Sequence, residues 1–538
     1  MRLRRVLVLA ALAGTACTPA CAAGPETRLV PMSDGVKLAT DVYLPPGKGP
    51  WPVILTRTPY NRTRSRGRHF AAAGYVYVVQ DMRGRFGSQG RNMPFIGCGW
   101  GKHRDGAETV AWIRKQPWCN GKIGTLGGSA CGITQNMLAA TRPEGLAGQY
   151  IAVAAGSLFH HATYVGGAFR HSQVVRWLTN NRFDGEALKL MRAHPTYDAY
   201  WHEYDTTRKH AVMNVPAVHV GGWFDTFCQG TIDAFVGRQY HGGPGARGAQ
   251  KLVMGPWAHG VGRQPGDLRF PDIRPPNRYS LKRWFDHTLK GVKNGMADEK
   301  AVAYYVMGDT RTRGAPGNEW RYADRWPIEA AETPCYVHAS GVLSLAKPKD
   351  AEAFRQYTFD PAKPCPTLGG RNLNLPSGPK NQNAVERRQD VLNFTSGPLR
   401  EPVEITGRIR AIIYVSSSAV DTDLSVRFCD VYPDGSSYLM AEGMLRLRHR
   451  DSLSKGELLT PDKVYRVTVD CWSTSVVINT GHGVRVSVTS SNWPRFDVNP
   501  GTGAASAPGG KTVKQTNRVY CDAKRPSHIV LPVVKGDK

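Results

Sequence analysis

The chain is organised around residues 122–140, which read Lys122-Ile-Gly-Thr-Leu-Gly-Gly-Ser129-Ala-Cys-Gly132-Ile-Thr-Gln-Asn-Met-Leu-Ala-Ala140. The short apolar run that ends at Leu126 predicts a buried strand. From Ile133 onward, apolar residues recur at the spacing of a helix. We therefore expect Ser129 to lie at the turn between a strand and a helix, with its hydroxyl near the first N–H groups of that helix.

The glycines around Ser129 explain how such a sharp turn can form. Gly127, Gly128 and Gly132 lack the Cβ atoms that would clash where the chain reverses and where the helix packs against the strand. The pattern is typical of a nucleophile elbow, although the usual spacing is G-x-S-x-G and the last glycine comes one residue later here. Glycine-flanked serines also cap helices or fill turns, so this turn indicates a nucleophile only if suitable partners follow.

Length and hydrophobic patterning predict the division into domains. The chain has 538 residues, which is too many for a single core. Apolar strands alternate with helices over residues 24–155 and 212–300, which predicts one largely parallel α/β sheet covered on both faces. Residues 156–211 change to aromatic-rich helical segments, which we interpret as an inserted helical cap. Residues 301–538 alternate apolar and polar positions, which predicts an all-β jelly-roll domain.

Residues 1–23 are predicted to be a secretory signal peptide. Basic residues near Met1 are followed by an apolar segment and then by small residues, with Ala20-Cys-Ala22 as a cleavage site. The apolar segment is too short for a membrane anchor, and no later stretch approaches the roughly 20 apolar residues of a transmembrane span. Cys17 or Cys21 could carry a lipid instead, but neither follows a convincing lipobox. We expect an exported protein, periplasmic or extracellular.

Charge and cysteine content constrain the partners. The formal net charge is +27, and it falls to +24 when the three arginines of the signal peptide are removed. Such a charge favours anionic substrates or surfaces, but the basic residues are spread along the chain, so we predict no specific nucleic-acid site. Nine cysteines follow the signal peptide. Pairs such as Cys98 with Cys119 or Cys335 with Cys365 are possible, and spacing does not decide between them. The absence of any C-x-x-C pair argues against zinc or redox chemistry.

A nucleophilic serine needs a histidine to accept its proton and a carboxylate to orient that histidine. In α/β-hydrolases the acid and then the histidine follow the serine, each at the end of a sheet strand. Asp225 comes immediately after one predicted strand, and His259 comes immediately after the next. Both residues match the order and the placement. Two rival acids are Asp81, which precedes Ser129 and breaks the order, and Asp233, which lies on a predicted helix.

Acyl transfer also needs two hydrogen-bond donors for the oxyanion that forms. The backbone N–H of Ala130, the first after the serine, is one donor by geometry. The second is expected on the loop after the first core strand, where Tyr60 follows a proline, although a tyrosine there can equally be a packing residue. His160 and His161 could ligate a metal, but no third donor lies at ligand spacing. We therefore predict neither a metal nor another cofactor.

Longer motifs extend this pattern in a single order along the chain: Arg57-Thr-Pro-Tyr60-Asn, Gln80-Asp-Met-Arg-Gly-Arg85, Gly127-Gly-Ser129, Gly222-Trp-Phe-Asp225, Gly255-Pro-Trp-Ala-His259 and Ser490-Ser-Asn-Trp-Pro-Arg-Phe-Asp497. With these motifs the chain resembles the CocE/NonD family of serine hydrolases, which is related to the X-Pro dipeptidyl-peptidases. The resemblance covers nearly all of the chain after the signal peptide.

The resemblance implies an α/β-hydrolase core, an inserted helical cap and a C-terminal jelly-roll domain. It implies that Ser129 is the nucleophile, His259 the general base and Asp225 the residue that orients the base. The Tyr60 hydroxyl and the Ala130 N–H are then the oxyanion donors. The implied activity is hydrolysis of an ester or amide bond in a small acyl substrate, without a cofactor. X-Pro dipeptidyl-peptidase or α-amino acid ester hydrolase activity is the alternative within the family.

One position departs from the family. Members usually have tyrosine directly after the nucleophile, whereas this chain has Ala130 followed by Cys131. The backbone donor survives this change, but the wall of the acyl site is reshaped and gains no carboxylate for a substrate ammonium. With the positive net charge, we expect an anionic or neutral acyl group. An alternative of another class is a non-catalytic envelope or glycan-binding protein that works through its jelly-roll domain.

Overall fold

The computed structural model describes residues 24–65, 67–504 and 509–535, so the predicted signal peptide lies outside the described residues. The chain begins with the first half of the α/β sheet. This half contains β1 (Glu26–Pro31), β2 (Lys37–Tyr43), β3 (Trp51–Thr58), β4 (Val76–Asp81), β5 (Cys119–Gly128) and β6 (Leu146–Ala152). Its helices are α1 (Arg68–Ala72), α2 (Asp105–Arg114) and α3 (Ala130–Ala139), with a 3₁₀ turn at Arg62–Arg64.

An antiparallel hairpin opens this sheet, and parallel pairing follows. β1 pairs antiparallel with β2 across a turn at Asp34-Gly35, and β2 then pairs antiparallel with β4. The pairs β3 with β4, β3 with β5 and β5 with β6 are parallel. β4 is buried along its whole length, as expected for an apolar strand that helices cover on both faces.

The segment after β6 contains the residues that the sequence predicts to be a cap. It contains a π-helical turn at Phe159–Thr163, the short strands β7 (Tyr164–Val165) and β8 (Ala168–Phe169), the helices α4 (His171–Asn180), α5 (Gly185–Ala193) and α6 (Ala199–His202), and a 3₁₀ helix at Thr206–Val212. The aromatic residues that marked this segment in the sequence pack together in its core. Phe159, for example, lies against the rings of Tyr164 and Trp201.

The sheet then resumes. Its second half contains β9 (Ala217–Gly222), α7 (Cys228–His241), β10 (Gln250–Gly255), a 3₁₀ turn at Asn277–Tyr279, α8 (Leu281–Lys290), β11 (Val302–Val306) and β12 (Glu319–Ala323). The full ten-stranded order is β1-β2-β4-β3-β5-β6-β9-β10-β11-β12. Because β11 runs parallel to β10 and pairs antiparallel with β12, the α/β sheet extends beyond the predicted division at residue 300.

The remainder of the chain is an all-β unit of two sheets, in agreement with the predicted fold class. Its strands are β13 (Ala331–Val337), β14 (Leu343–Ser344), β15 (Phe354–Phe359), β16 (Leu392–Thr395), β17 (Val403–Ser417), β18 (Asp423–Val431), β19 (Ser437–Arg446), β20 (Tyr465–Ile478), β21 (Gly483–Thr489), β22 (Gln515–Tyr520) and β23 (His528–Val533), with α9 (Asn383–Glu386) and a 3₁₀ turn at Leu447–His449. One sheet has the order β14-β13-β23-β17-β22-β15 with β20 beside β17, and the other has the order β16-β21-β18-β19.

The α/β core and the C-terminal unit share one hydrophobic cluster. Phe224 and Ile232 of the core pack in the same cluster as Val469 and Leu531 of the C-terminal sheets. Phe224 directly precedes Asp225. The loop that carries the predicted acid is therefore packed between the two units. The C-terminal unit therefore forms part of the support of the site.

Two features of the described residues bear on partners and chemistry. No helix among them is long and apolar enough to cross a membrane. Their nine cysteines are all free, so neither Cys98 with Cys119 nor Cys335 with Cys365 forms a disulfide in this structure.

Candidate active site

Ser129 lies at the strand-to-helix turn that the sequence predicts. β5 ends at Gly128, and α3 begins at Ala130 with Ser129 as its N-cap residue. The backbone of Ser129 has φ 57° and ψ −128°, a region that costs a non-glycine residue about 1–3 kcal/mol and that persists only where the surroundings enforce it. This strained turn lifts the Ser129 side chain above the carboxyl end of the sheet.

The glycines of the elbow are required by close packing. Gly127 has φ +154°, and a Cβ there would lie 2.5 Å from the Cβ of Cys131. A Cβ at Gly132 would lie 2.7 Å from the Cβ of Ala154 and 3.1 Å from the carbonyl oxygen of Ala152. The late position of the last glycine is therefore explained by the contact between α3 and the chain just after β6.

The structure brings Ser129, His259 and Asp225 together. The Nε2 atom of His259 lies 2.8 Å from the Oγ of Ser129, and its Nδ1 lies 2.7 Å from Oδ1 of Asp225. The Asp225 side chain is fully buried, and the second oxygen of its carboxylate accepts a hydrogen bond from the Phe227 N–H at 3.1 Å. The hydroxyl, imidazole and carboxylate thus form one continuous hydrogen-bonded row.

The loops that carry Asp225 and His259 are tied to each other by backbone contacts. β9 and β10 are parallel neighbours that end in register at Gly222 and Gly255. Beyond those ends, the Phe224 N–H donates to the Trp257 carbonyl at 2.9 Å. A Cβ at Gly222 would lie 2.2 Å from that carbonyl oxygen. The glycine therefore allows the two loops to approach closely enough for the carboxylate to meet the imidazole.

Two buried arginines hold the Asp225 loop from behind. Arg170, in the cap, donates to the Thr226 carbonyl at 3.0 Å, and Arg371, in the C-terminal part of the chain, donates to the Trp223 carbonyl at 2.9 Å. Both arginines are about 1% exposed. Because each contacts a residue within two positions of Asp225, all three parts of the chain contribute to the placement of this carboxylate.

The rival acids are engaged elsewhere. Asp81 accepts hydrogen bonds from the backbone N–H of Arg62 at 2.7 Å and from its guanidinium at 2.8 Å. Asp233 lies on α7 and pairs with His161 at 3.3 Å. Neither carboxylate contacts the imidazole that Ser129 contacts.

Tyr60 lies on the loop after β3 and reaches Ser129. Its hydroxyl accepts a hydrogen bond from the indole N–H of Trp177 at 3.1 Å. Burial raises the pKa of the Tyr60 phenol above its usual value of 10, against the opposing effect of hydrogen bonds with Trp177, the Ser129 side chain and the Ala130 backbone. The phenol is therefore protonated at neutral pH and can donate a hydrogen bond beside the Ala130 N–H.

An apolar pocket opens directly at Ser129, with about 480 Å³ of empty space including its mouth. Its walls are mainly aromatic and aliphatic and include Phe95, Ile133, Trp177, Met191, Phe227 and Leu373. The polar side chains of the lining are those of Ser129, Thr163 and Gln173, and no lining side chain is charged. The side of the pocket next to Ser129 includes Ala130.

Several residues of this site were not singled out from the sequence. Trp177, Val174 and Gln173 all face the pocket from α4. Their spacing of three and four residues indicates that they share one helix face. The sequence does not show that this face lines a pocket. Arg371 lies 146 positions after Asp225, and local sequence carries no signal for such a contact.

The His160 and His161 pair does not assemble a metal site. Among the described residues, no group of three or more His, Cys, Asp or Glu side chains is placed to hold a metal ion. His161 is paired with Asp233, and burial lowers the pKa of His160 to about 4. His160 is therefore neutral at neutral pH, and both histidines pack and form polar contacts within the protein.

Comparison with known proteins adds independent information. Residues 34–187 and 179–261 match the X-Pro dipeptidyl-peptidase (S15) family, and residues 294–530 match the X-Pro dipeptidyl-peptidase C-terminal non-catalytic domain. The chain is similar to the cocaine esterase of Rhodococcus sp. (strain MB1 Bresler), with 31% identity over 580 residues that span 94% of this chain and 98% of the relative.

Two solved structures extend this comparison. An aminopeptidase from the marine sediment archaeon Thaumarchaeota archaeon has a TM-score of 0.83 at 26% identity and covers 98% of this chain and 99% of its own. An α-amino acid ester hydrolase has a TM-score of 0.77 at 26% identity and covers 98% of this chain and 100% of its own.

Fold, elbow and sequence matches together define the class of protein as a serine hydrolase with an α/β-hydrolase core and a C-terminal β domain. The chain belongs to the S15 family of X-Pro dipeptidyl-peptidases and CocE/NonD hydrolases. This membership makes it an enzyme, rather than the non-catalytic envelope or glycan-binding protein that was the alternative from sequence.

Proposed function

We propose that this enzyme hydrolyses an ester or amide bond through an acyl-enzyme intermediate on Ser129. The observation that carries the proposal is the continuous row from the Ser129 hydroxyl through His259 to Asp225, with contacts of 2.8 and 2.7 Å. In this arrangement the imidazole can take the serine proton while the carboxylate holds it in the required tautomer and stabilises the imidazolium.

The reaction follows from these positions. Ser129 Oγ attacks the substrate carbonyl carbon as its proton moves to Nε2 of His259, and the carbonyl oxygen becomes an oxyanion. The Tyr60 hydroxyl and the Ala130 N–H donate hydrogen bonds to that oxyanion. His259 then protonates the leaving alcohol or amine, which leaves an ester on Ser129. Water, deprotonated by the same imidazole, attacks this ester, and the acid product and free Ser129 are released.

We propose a neutral, largely apolar acyl group as the substrate class. The pocket at Ser129 has no charged side chain in its lining, so an anionic or cationic acyl group would lose its hydration without gaining a partner. The lack of a lining carboxylate also disfavours the ammonium of an α-amino acid ester or of a peptide amino terminus. The solved relatives include an aminopeptidase and an α-amino acid ester hydrolase, so this preference separates the present enzyme from both named activities.

Export remains part of the proposal. Residues 1–23 have the basic, apolar and small-residue zones of a signal peptide. Expression of the full chain followed by cell fractionation and amino-terminal sequencing tests this point. A mature protein outside the cytoplasm that starts at residue 23 or 24 supports it, and an uncleaved cytoplasmic chain contradicts it.

The activity is tested with purified wild type and Ser129→Ala on a matched panel of p-nitrophenyl esters, aminoacyl esters, glutaryl amides and X-Pro amides. We expect turnover of the neutral apolar esters and loss of at least about 10⁴-fold in kcat for Ser129→Ala. Undiminished turnover by Ser129→Ala overturns the assignment of the nucleophile. Preference for aminoacyl or glutaryl substrates overturns the proposed acyl class but leaves the nucleophile in place.

A further inference from the structure

The Tyr60 hydroxyl has a partner on its far side that comes from the cap. The indole N–H of Trp177, on α4, points at the phenol oxygen at 3.1 Å, across 117 positions of sequence. A phenol has one proton and accepts through its oxygen, whereas an indole N–H can only donate. The Tyr60 hydroxyl therefore cannot donate its proton to Trp177.

The remaining neighbours of this hydroxyl decide where its proton points. They are the side chain of Ser129 and the backbone of Ala130, both of which engage the phenol. The Ala130 N–H is itself a donor, so the proton of Tyr60 is directed to the side of Ser129, where the oxyanion forms. The indole donor also polarises the phenol and makes it a better hydrogen-bond donor.

Trp177 is held rigidly enough for this task. Its ring stacks on Phe95 with centroids 5.6 Å apart and an interplanar angle of 8°, and the Phe183 ring lies 4.9 Å away on centroids. The Asn181 side-chain amide donates to the Trp177 carbonyl at 2.8 Å. The indole therefore has little freedom to turn away from Tyr60.

A second contact fixes the distance between the Tyr60 loop and α4. The Arg85 guanidinium donates to the carbonyl of Pro59 at 3.1 Å and to the carbonyl of Asn181 at 2.6 Å. Its planar group also lies over the Phe183 ring, 4.3 Å from the centroid. Arg85 thus links the residue before Tyr60 to the end of the helix that carries Trp177.

We propose that Trp177 is a positioning residue for oxyanion stabilisation, because its indole N–H orients the Tyr60 hydroxyl toward the oxyanion. Stabilisation of the transition state then depends on how the cap packs against the core. The proposal rests on the function proposed above, since it requires Tyr60 to be an oxyanion donor. Trp177 also lines the acyl pocket, so the experiment must separate orientation of Tyr60 from pocket shape.

The test is a double-mutant cycle on folded enzyme with Trp177→Phe, Tyr60→Phe and the double variant, in which kcat and KM are measured for one p-nitrophenyl ester. We expect Trp177→Phe to lower kcat roughly five- to ten-fold, the loss typical of one neutral hydrogen bond. In the Tyr60→Phe background, the same change should alter kcat by less than about two-fold, because its target is gone. Any change in KM from the altered pocket should be equal in both backgrounds.

Val174→Ala is the matched control, because Val174 lies on the same face of α4 and lines the same pocket but has no N–H group to offer Tyr60. Its effect on kcat should be the same with and without the Tyr60 hydroxyl. A second variant, for use if Trp177→Phe does not fold, carries benzothienylalanine at position 177. This residue keeps the shape of tryptophan but lacks the N–H. It should reproduce the five- to ten-fold loss.

The outcomes separate the two proposals. If Trp177→Phe or the benzothienyl variant loses the same factor with and without the Tyr60 hydroxyl, or loses nothing in either, the positioning role is overturned while the nucleophile and Tyr60 assignments stand. If Tyr60→Phe itself keeps full kcat, the oxyanion role of Tyr60 fails, and the positioning role of Trp177 fails with it.

Discussion

We predict that Gly222→Ala moves the Asp225 carboxylate away from the His259 imidazole. Gly222 is the last residue of β9, and an added Cβ would lie 2.2 Å from the Trp257 carbonyl oxygen and 2.7 Å from its carbon. These are backbone atoms of the loop that carries His259, so no side-chain rotation relieves the contact. The two loops must separate, and the hydrogen bond from the Phe224 N–H to the Trp257 carbonyl, 2.9 Å in length, must lengthen or break.

The expected loss of activity can be worked out from the overlap between the added Cβ and the Trp257 carbonyl oxygen. Ordinary contacts at this position need about 3.2 Å, so the loops must open by about 1 Å, and a displacement of this size near the reacting groups costs about 10²-fold in rate. Overpacking of this kind also destabilises a protein by about 1–3 kcal/mol. We therefore expect kcat/KM of Gly222→Ala to fall about 100-fold while the enzyme remains folded at 25 °C.

Gly221→Ala is the matched control on the same buried strand. There an added Cβ would meet the Sδ of Met254 at 2.8 Å and the Cγ2 of Thr231 at 3.1 Å. Both are side-chain atoms, and a methionine adapts readily. Hydrolysis of a p-nitrophenyl ester and urea unfolding of both variants provide the comparison. Wild-type kcat/KM in folded Gly222→Ala, or an equal loss in Gly221→Ala, would refute the reasoning.

Three further predictions concern the hydroxyl donor, the acid and the buried histidine of β9. Tyr60→Phe should lower kcat about 10²–10³-fold, because it removes one of two oxyanion donors, and steady-state kinetics on an activated ester measure this loss. Asp225→Asn should lower kcat by about 10⁴-fold, because an amide donor facing Nδ1 of His259 selects the wrong tautomer, and the same assay applies. Burial lowers the pKa of His219 to about 3, whereas a histidine in the unfolded chain has a pKa of about 6.5. Between these two pH values the unfolded state binds more protons than the folded state, so the stability of the fold decreases as the pH falls. The His219 contribution lost between pH 7 and pH 5 should be about 2 kcal/mol, as measured by urea unfolding at the two values.

Each of these predictions has a contradicting result. Tyr60→Phe with unchanged kcat removes Tyr60 from the site. Asp225→Asn with a loss below ten-fold means that the carboxylate does not orient the imidazole. For the pH effect, His219→Phe should lose about 2 kcal/mol less than wild type between pH 7 and pH 5, with His160 and His210 titrating equally in both proteins. An identical pH dependence in the two proteins contradicts the assignment to His219.

The candidate catalytic positions were predictable because each depends on local sequence. The elbow needs glycines where the helix meets the strand, and the close contacts of Gly127 and Gly132 show why they are required. Asp225 and His259 could be picked out because parallel neighbouring strands deliver their carboxyl ends to one edge of a sheet. The continuous apolar strands and the period-two C-terminal region likewise indicate the fold class from the sequence alone.

The parts that escaped prediction depend on contacts between distant segments. The 117-position contact between Trp177 and Tyr60 requires the packing angle of the cap, which hydrophobic periodicity does not encode. The same is true of Arg170 and Arg371, whose buried guanidiniums support the Asp225 loop. Both β11 and β12 lie beyond the predicted division at residue 300. An antiparallel edge strand such as β12 alternates in the same way as a sandwich strand, so the pattern after residue 300 did not show where the α/β sheet ends.

The central claim is that a covalent acyl-enzyme forms on Ser129 with His259 as its base. The most direct measurement is rapid mixing of enzyme with an excess of a p-nitrophenyl ester, followed by acid quenching and peptide mass spectrometry. The account predicts a burst of p-nitrophenol that approaches one equivalent of enzyme, with the acyl mass on the peptide that contains Ser129, and loss of both signals in Ser129→Ala. An acyl group on another residue, or an unchanged burst in Ser129→Ala, would contradict the account.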